Sequence, residues 1–390
     1  MINLLYSKSI SFHRDVPESP DSLDSKFCLM LSTALPEQSI VQSLLDALHA
    51  LPGLRAELRS RGGPATSAGY RPDAEIAVEV AGRQITLRVE AKRELFPRDA
   101  REVLWRMGAS EGASDDSSIL RLIAADSLSP GAKEMLKAEG VGYYDRGGSL
   151  YLPAPGAYIY VDKPPPKSIA KAIGSLFTGR RAQVIHALLL RPREWLTGKD
   201  LAERAQVSTA TVSQVMTELE RLEFISLNEQ GPHKGRQVRE PGRLLDQWAE
   251  YVTPLKPPAF HRYFLPALRA DQILNGVARE FATHNVSYAV SFEAAAQAYA
   301  PFLSSISQVK CRAVGGAALE SGLASLNARA VEEGANFYVL ETKSAGDLLF
   351  REQIEGSWLA SPIQVYLDLQ RSEGRAKELA QHLRRERIPF

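Results

Sequence analysis

The stretch Thr197–Glu240, TGKDLAERAQVSTATVSQVMTELERLEFISLNEQGPHKGRQVRE, decides how this chain is read. Thr197-Gly198-Lys199-Asp200 has the form of a capping box, in which the threonine oxygen takes a free amide and Asp200 meets the positive helix end. Leu201 and Ala205 then fall four apart, on the inward face of a short helix. Val207-Ser208 makes a turn. From about Thr209 to Glu223, Val212, Val215, Met216, Leu219 and Leu222 recur at helical spacing and predict a second helix. Its other face presents Thr209, Thr211, Ser213, Gln214, Thr217 and Arg221, short polar groups and one cation that can approach base edges without a steric wall. Ile225-Ser226-Leu227 and Gln237-Val238-Arg239 enclose Gln230–Arg236, which predicts a β-hairpin with a basic tip.

Helix, turn, helix and basic hairpin make a winged helix-turn-helix. An upstream helix, Arg180–Trp195 with Val184, Leu188 and Leu189 apolar, completes a three-helix core, and Trp195-Leu196 supplies a short strand against the wing. The second helix is expected in the major groove of double-stranded DNA, with Lys234, Arg236 and Arg239 on phosphates. Lys167–Arg243 holds thirteen Lys and Arg against eight Asp and Glu, a local excess of +5 in a chain of net charge +1. Positive charge is thus gathered where a nucleic acid needs it. The other use of such a unit is protein contact. DNA binding of this kind requires no cofactor. Winged-helix regulators often pair on two-fold sites, which leaves a homodimer open.

At 390 residues the chain has room for two or three domains, and 44% apolar content excludes wholesale disorder. Cys28 and Cys311, the only cysteines, are too few for a disulfide framework or a cysteine zinc site, so a reducing cytoplasm is the simple expectation. The seven histidines form no ligand-spaced cluster, and no zinc is expected. Met1–Leu5 lacks a basic region leading into a long apolar run, and nothing approaches the ~20 apolar residues of a membrane span, so no membrane partner is expected. Composition shifts divide the chain into an irregular arm (1–38), an α/β domain (39–163), the winged helix (164–250) and a second α/β domain (259–390). Pro164-Pro165-Pro166 and Thr253–Pro258 mark the breaks.

In the first α/β domain, Ser39–Ser60 carries a leucine-rich helical pattern that Pro52-Gly53 bends or breaks. Two strands of period two follow. Ile76, Val78 and Val80 alternate with polar residues, as do Ile85, Leu87, Val89 and Ala91. A two-residue turn at Gly82-Arg83 would set Val80 against Ile85, Val78 against Leu87 and Ile76 against Val89. Asp73 would then lie opposite Lys92, and Glu75 opposite Glu90. Facing carboxylates repel unless a cation sits between them, and a divalent metal supplies one through hard oxygen ligands. The same face can equally be solvated and salt-bridged through Arg88 and Lys92.

Pro72-Asp73 together with Glu90-Ala91-Lys92 across a hairpin resembles the PD-(D/E)XK restriction-endonuclease-like superfamily. The continuation agrees: a helix Pro97–Met107, a strand Ile119–Ala125, a helix Ser129–Ala138 and a strand Val141–Tyr144 make an α/β sandwich. The resemblance implies Mg²⁺ on Asp73 and Glu90, Lys92 completing a catalytic site, and an acid from the preceding helix such as Glu57.

Beyond residue 259 the pattern is again α/β, with helices Ala270–Phe281 and Phe292–Tyr299 and strands Tyr288–Ser291, Gln308–Val314 and Asn336–Leu340. Ser361-Pro362-Ile363-Gln364 reads as a capping box with proline at the first helical position. A basic amphipathic helix closes the chain, with Ala376, Leu379, Ala380 and Leu383 inward. A winged helix followed by SPIQVYLDL (Ser361–Leu369), Gly374-Arg375 and Glu378-Leu379-Ala380 resembles the AbiEi-type antitoxins of type IV toxin–antitoxin systems. That resemblance implies a transcriptional regulator repressing its own operon, with a nucleotidyltransferase-like toxin encoded nearby as partner. The alternative is a Mg²⁺-dependent DNA endonuclease, in phage defence or restriction, that the winged helix delivers to its target.

Overall fold

The computed structural model describes residues 36–62, 70–80, 82–109, 118–154, 157–165, 167–228, 235–267, 269–342 and 344–390. Most of the N-terminal arm, and Lys234 in the wing, lie outside these residues. The architecture is mixed α/β. By internal contacts the chain forms two compact units, one spanning residues 1–95 and 103–164 and the other 96–102 and 165–390.

The first unit begins with α1 (Pro36–His49), whose Ile40, Val41, Leu44, Leu45 and Leu48 share one buried stripe. β1 (Arg55–Arg61), β2 (Ala74–Val80) and β3 (Arg83–Leu95) form an antiparallel meander. The expected helix Ser39–Ser60 does not run its full length. The helix stops at His49, Gly53 takes φ +77, and Arg55–Arg61 is extended, with Ala56 and Leu58 turned toward the apolar side. α2 (Pro97–Ala109), whose residues up to Glu102 belong to the second unit, crosses to β4 (Ile119–Leu128), parallel to β3, and α3 (Pro130–Ala138) crosses to β5 (Gly142–Asp145), parallel to β4. β6 (Leu150–Ala154) and β7 (Ala157–Val161) complete a sheet of seven strands in chain order. α1 covers one face, closing a core of Ile76, Val78, Leu87, Val89 and Leu122.

In the second unit, α4 (Lys167–Leu176) precedes the three helices α5 (Gly179–Leu190), α6 (Gly198–Ala205) and α7 (Thr209–Arg221). α5 ends five residues before the expected Trp195 because Pro192 disfavours helical backbone at Arg191. The wing is β8 (Ile225–Leu227) against β9 (Arg236–Val238), and Leu196 bridges to Arg236 as a third short strand. α8 (Pro241–Val252) leads to a sheet built from β10 (His261–Phe264), β11 (Tyr288–Ser291), β12 (Val309–Val314), β13 (Arg329–Ala330), β14 (Phe337–Thr342), β15 (Glu352–Ile354) and β16 (Ser357–Leu359). Its order is β13-β10-β14-β12-β11-β16-β15. The helices α9 (Ala270–Thr283), α10 (Phe292–Tyr299), α11 (Ala317–Ser325), α12 (Pro362–Gln370) and α13 (Ala376–Arg387) accompany it. One apolar core runs without a break from Val184, Leu188 and Trp248 into Val365, Leu369 and Leu379.

Candidate functional site

The helix-turn-helix is built by local chemistry. Thr197 Oγ1 accepts the Asp200 amide at 3.2 Å and Asp200 Oδ2 accepts the Thr197 amide at 3.0 Å, closing the capping box. The Thr197 hydroxyl, donating to Asp200 Oδ2 at 2.7 Å, and the Thr197 amide hold the Asp200 carboxyl below its ordinary pKa. Gln206 ends α6 in the left-handed region, at φ 50, and turns the chain into α7. Ser208 caps α7 by accepting the Thr211 amide at 3.2 Å. Val212, Val215, Met216 and Leu219 are buried, which locks the rotation of α7 and leaves Thr209, Ser213, Gln214 and Thr217 exposed. Thr211 is half-buried, its hydroxyl 3.0 Å from that of Ser208.

The cations are distributed differently from the sequence expectation. Arg221 is held by its own unit: its guanidinium stacks 3.8 Å from the Phe96 ring centroid and its Nε lies 3.3 Å from Asp99 Oδ2. Nearby, Arg101 donates through Nε and Nη2 to Glu223 at 2.9 and 2.8 Å and holds that carboxyl below its ordinary pKa. Arg236 is only 17% exposed and its Nε sits 3.5 Å from Glu220 Oε1. Arg239 is exposed. Of the expected DNA-facing residues, then, Thr209, Ser213, Gln214 and Arg239 lie on the surface, whereas Arg221 and Arg236 serve internal ion pairs. Lys199 and Arg193, also exposed, were not singled out by periodicity because cations carry no helical signature of their own.

At the hairpin of the first unit the pairing is Val80 with Arg83, Val78 with Ile85, Ile76 with Leu87 and Ala74 with Val89. The turn lies one residue earlier than expected, with Gly82 at its second position, φ +75, so the register shifts by two. Away from the turn, where Val80 meets Arg83, apolar residues still meet apolar residues. The shift sets Glu75 against Arg88, at 3.5 Å, and not against Glu90.

Asp73 and Glu90 nevertheless converge beside Lys92. Glu90 is 4% exposed, and Oε1 accepts from Lys92 Nζ at 2.6 Å while Oε2 accepts from Tyr70 at 2.8 Å. Arg106 approaches the same carboxylate at 3.8 Å. Asp73 Oδ2 accepts the Ala91 amide at 2.7 Å. Burial raises the Asp73 pKa most, with the charges of Glu90 and Glu37 adding, while the Ala91 amide and Lys92 act in the opposite sense. The helix acid near the site is therefore Glu37, on α1; Glu57 lies exposed on β1. Tyr70, Arg106 and Glu37 come from outside the hairpin, so neither motif marks them.

Two carboxylates flanked by water satisfy what Mg²⁺ usually takes from protein. Among the described residues no group of three or more His, Cys, Asp or Glu side chains is placed to hold a metal. Asp73 and Glu90 are the carboxylates that would hold Mg²⁺ here, and both Glu90 oxygens already accept hydrogen bonds, from Lys92 and Tyr70. Also among the described residues, no helix is long and apolar enough to cross a membrane. No protein-family model matches the chain, and no curated protein matches it in sequence.

Proposed function

We propose that the protein binds double-stranded DNA through α7 and the wing, as a transcriptional regulator of antitoxin type. One observation carries this reading: the N-terminal half of α7 presents Thr209, Ser213 and Gln214 to solvent on a helix whose opposite face is fully packed. In helix-turn-helix proteins that half of the second helix reaches base edges. The pairing of Arg221 at the other end of α7 leaves this half untouched. The test is fluorescence anisotropy of the full chain on duplexes from the region upstream of its own gene, against scrambled duplexes, across a salt series. Preferential binding with a steep salt slope is expected, and Gln214→Glu with Ser213→Asp should weaken it about ten-fold or more. Equal affinity for both duplexes, or no loss in the variant, would sink the reading.

A second reading rests on the convergence of Asp73, Glu90 and Lys92: a metal-dependent DNA endonuclease. Mg²⁺ on Asp73 and Glu90 would supply Lewis-acid polarisation of a phosphoryl oxygen. Lys92, already 2.6 Å from Glu90, would keep a positive charge beside the carboxylate pair, and neutral Tyr70 would hold Glu90 in place. Cleavage of supercoiled and linear DNA with Mg²⁺ or Mn²⁺, lost in Lys92→Ala, is the expected result. Intact DNA under both metals would remove this reading and leave the first standing.

A further inference from the structure

The second unit carries a half-open cavity of about 240 Å³ between the start of α5, α8, the segment 346–351 and α12. Its charged wall consists of three arginines, Arg312, Arg351 and Arg371, and two aspartates, Asp347 and Asp368. Asp368 is saturated. It accepts from Arg312 through Nε at 3.2 Å and Nη2 at 2.5 Å, from Ser291 Oγ at 2.5 Å and from Gln364 Nε2 at 2.9 Å. Arg351 is committed to the Tyr288 carbonyl at 2.7 Å. Arg371 is not satisfied in this way. One Nη donates to the Lys256 carbonyl, but its buried Nε has no hydrogen-bond partner among the described residues. A desolvated guanidinium N–H without an acceptor is costly, and an oxyanion is its strongest partner.

A second feature of the same cavity has the same sign. Thr178 and Gly179, which start α5, line it. Thr178 makes no capping bond; its hydroxyl donates to the Ser175 carbonyl at 3.1 Å. The positive end of a twelve-residue helix therefore meets the cavity without a side-chain acceptor. The remaining wall mixes polar side chains, Gln183, His186, Ser361 and Gln364, with apolar and aromatic ones. Trp248 stacks on Phe177 with ring centroids 5.8 Å apart, and Phe350 closes the other side.

We propose that this cavity binds a small organic oxyanion, a phosphate or carboxylate headgroup on an aromatic body. Arg371 and the first turn of α5 hold the headgroup, and the aromatic part of the wall, Trp248 and Phe350 with His186 between them, meets the body. The site does not depend on DNA binding.

The test titrates the full chain with phenyl phosphate, benzoate and inorganic phosphate, read by calorimetry and by tryptophan fluorescence. One aromatic oxyanion should bind at one site per chain with Kd near or below about 1 mM, at least about ten-fold tighter than inorganic phosphate. Whether phenyl phosphate or benzoate binds more tightly separates the two headgroups. Arg371→Gln should weaken binding about ten-fold, and Ala182→Phe, which fills the cavity from α5, should abolish it. Arg385→Gln, exposed on α13, should change nothing. Ala182→Phe carries the test by itself if Arg371→Gln does not fold. Absence of saturable binding by both aromatic probes, or binding unchanged in the folded cavity variants, overturns the proposal.

Discussion

His186 and Ser361, 175 residues apart in sequence, meet at 2.6 Å between Nε2 and Oγ, joining α5 of the winged helix to the N-cap of α12. The same Ser361 oxygen accepts the Gln364 amide at 3.2 Å, so it caps α12 as the sequence suggested. The reciprocal half of the capping box is absent, because the Gln364 side chain turns to Asp368. His186 is buried between the Trp248 and Phe350 rings.

Burial pushes the His186 pKa down from 6.5 to about 3. The folded chain therefore binds this proton more weakly than the unfolded chain. Stability is full above pH 6.5 and falls progressively as the pH drops toward about 3, by an amount on the order of 5 kcal/mol if the ring is neutral throughout. Chemical denaturation between these limits should show that slope, and His186→Gln should flatten it. An unchanged slope in the variant would place the acid sensitivity elsewhere.

Arg221 distinguishes a structural cation from a DNA-facing one. Arg221→Ala removes the Phe96 stack and the Asp99 ion pair, and should lower stability by about 1–2 kcal/mol. Affinity for DNA should stay within about three-fold, measured by anisotropy. A loss as large as that of the Ser213 and Gln214 variant would mean that Arg221 leaves Asp99 to contact the duplex.

Asp73 carries a pH signature of opposite sign to that of His186. Its folded pKa lies above the ordinary 3.8, so the folded state holds this proton more tightly and stability declines as pH rises through that raised value. Asp73→Asn keeps an oxygen for the Ala91 amide and cannot ionise. Calorimetric Tm of the variant relative to wild type should rise between about pH 3.5 and pH 7. A constant difference would show that burial does not penalise the carboxylate.

Asp368 holds Arg312, Ser291 and Gln364 together at 2% exposure. Asp368→Ala leaves the Arg312 guanidinium buried without its counter-charge, and should cost about 3–5 kcal/mol in urea unfolding. A change below about 1 kcal/mol would show that water reaches Arg312 when the carboxylate is removed.

Several elements were legible from residues alone. The apolar stripe Val212, Val215, Met216 and Leu219 is α7 as expected, and the capping box at Thr197 and Asp200 forms with both hydrogen bonds. Four short strands, β10, β13, β15 and β16, were not legible: at two to four residues each they register no period, and no hairpin or helix pattern beside them marked their place. Arg55–Arg61 was missed for another reason, since leucines at helical spacing run through it from α1.

What the sequence by itself determined is which face of each long element turns inward, because side-chain periodicity is a local property of the backbone. It could not choose between hairpin registers two residues apart. Such a slip keeps every side chain on its own face, so both pairings bury the same apolar residues, and the turn geometry at Gly82 decided. Nor could it tell which arginines remain for a partner. Arg221 meets Asp99 from 122 residues away, and Arg236 on the wing meets Glu220 on α7. Only the tertiary structure brings those charges within ion-pair distance, because Coulomb attraction depends on separation in space and not along the chain.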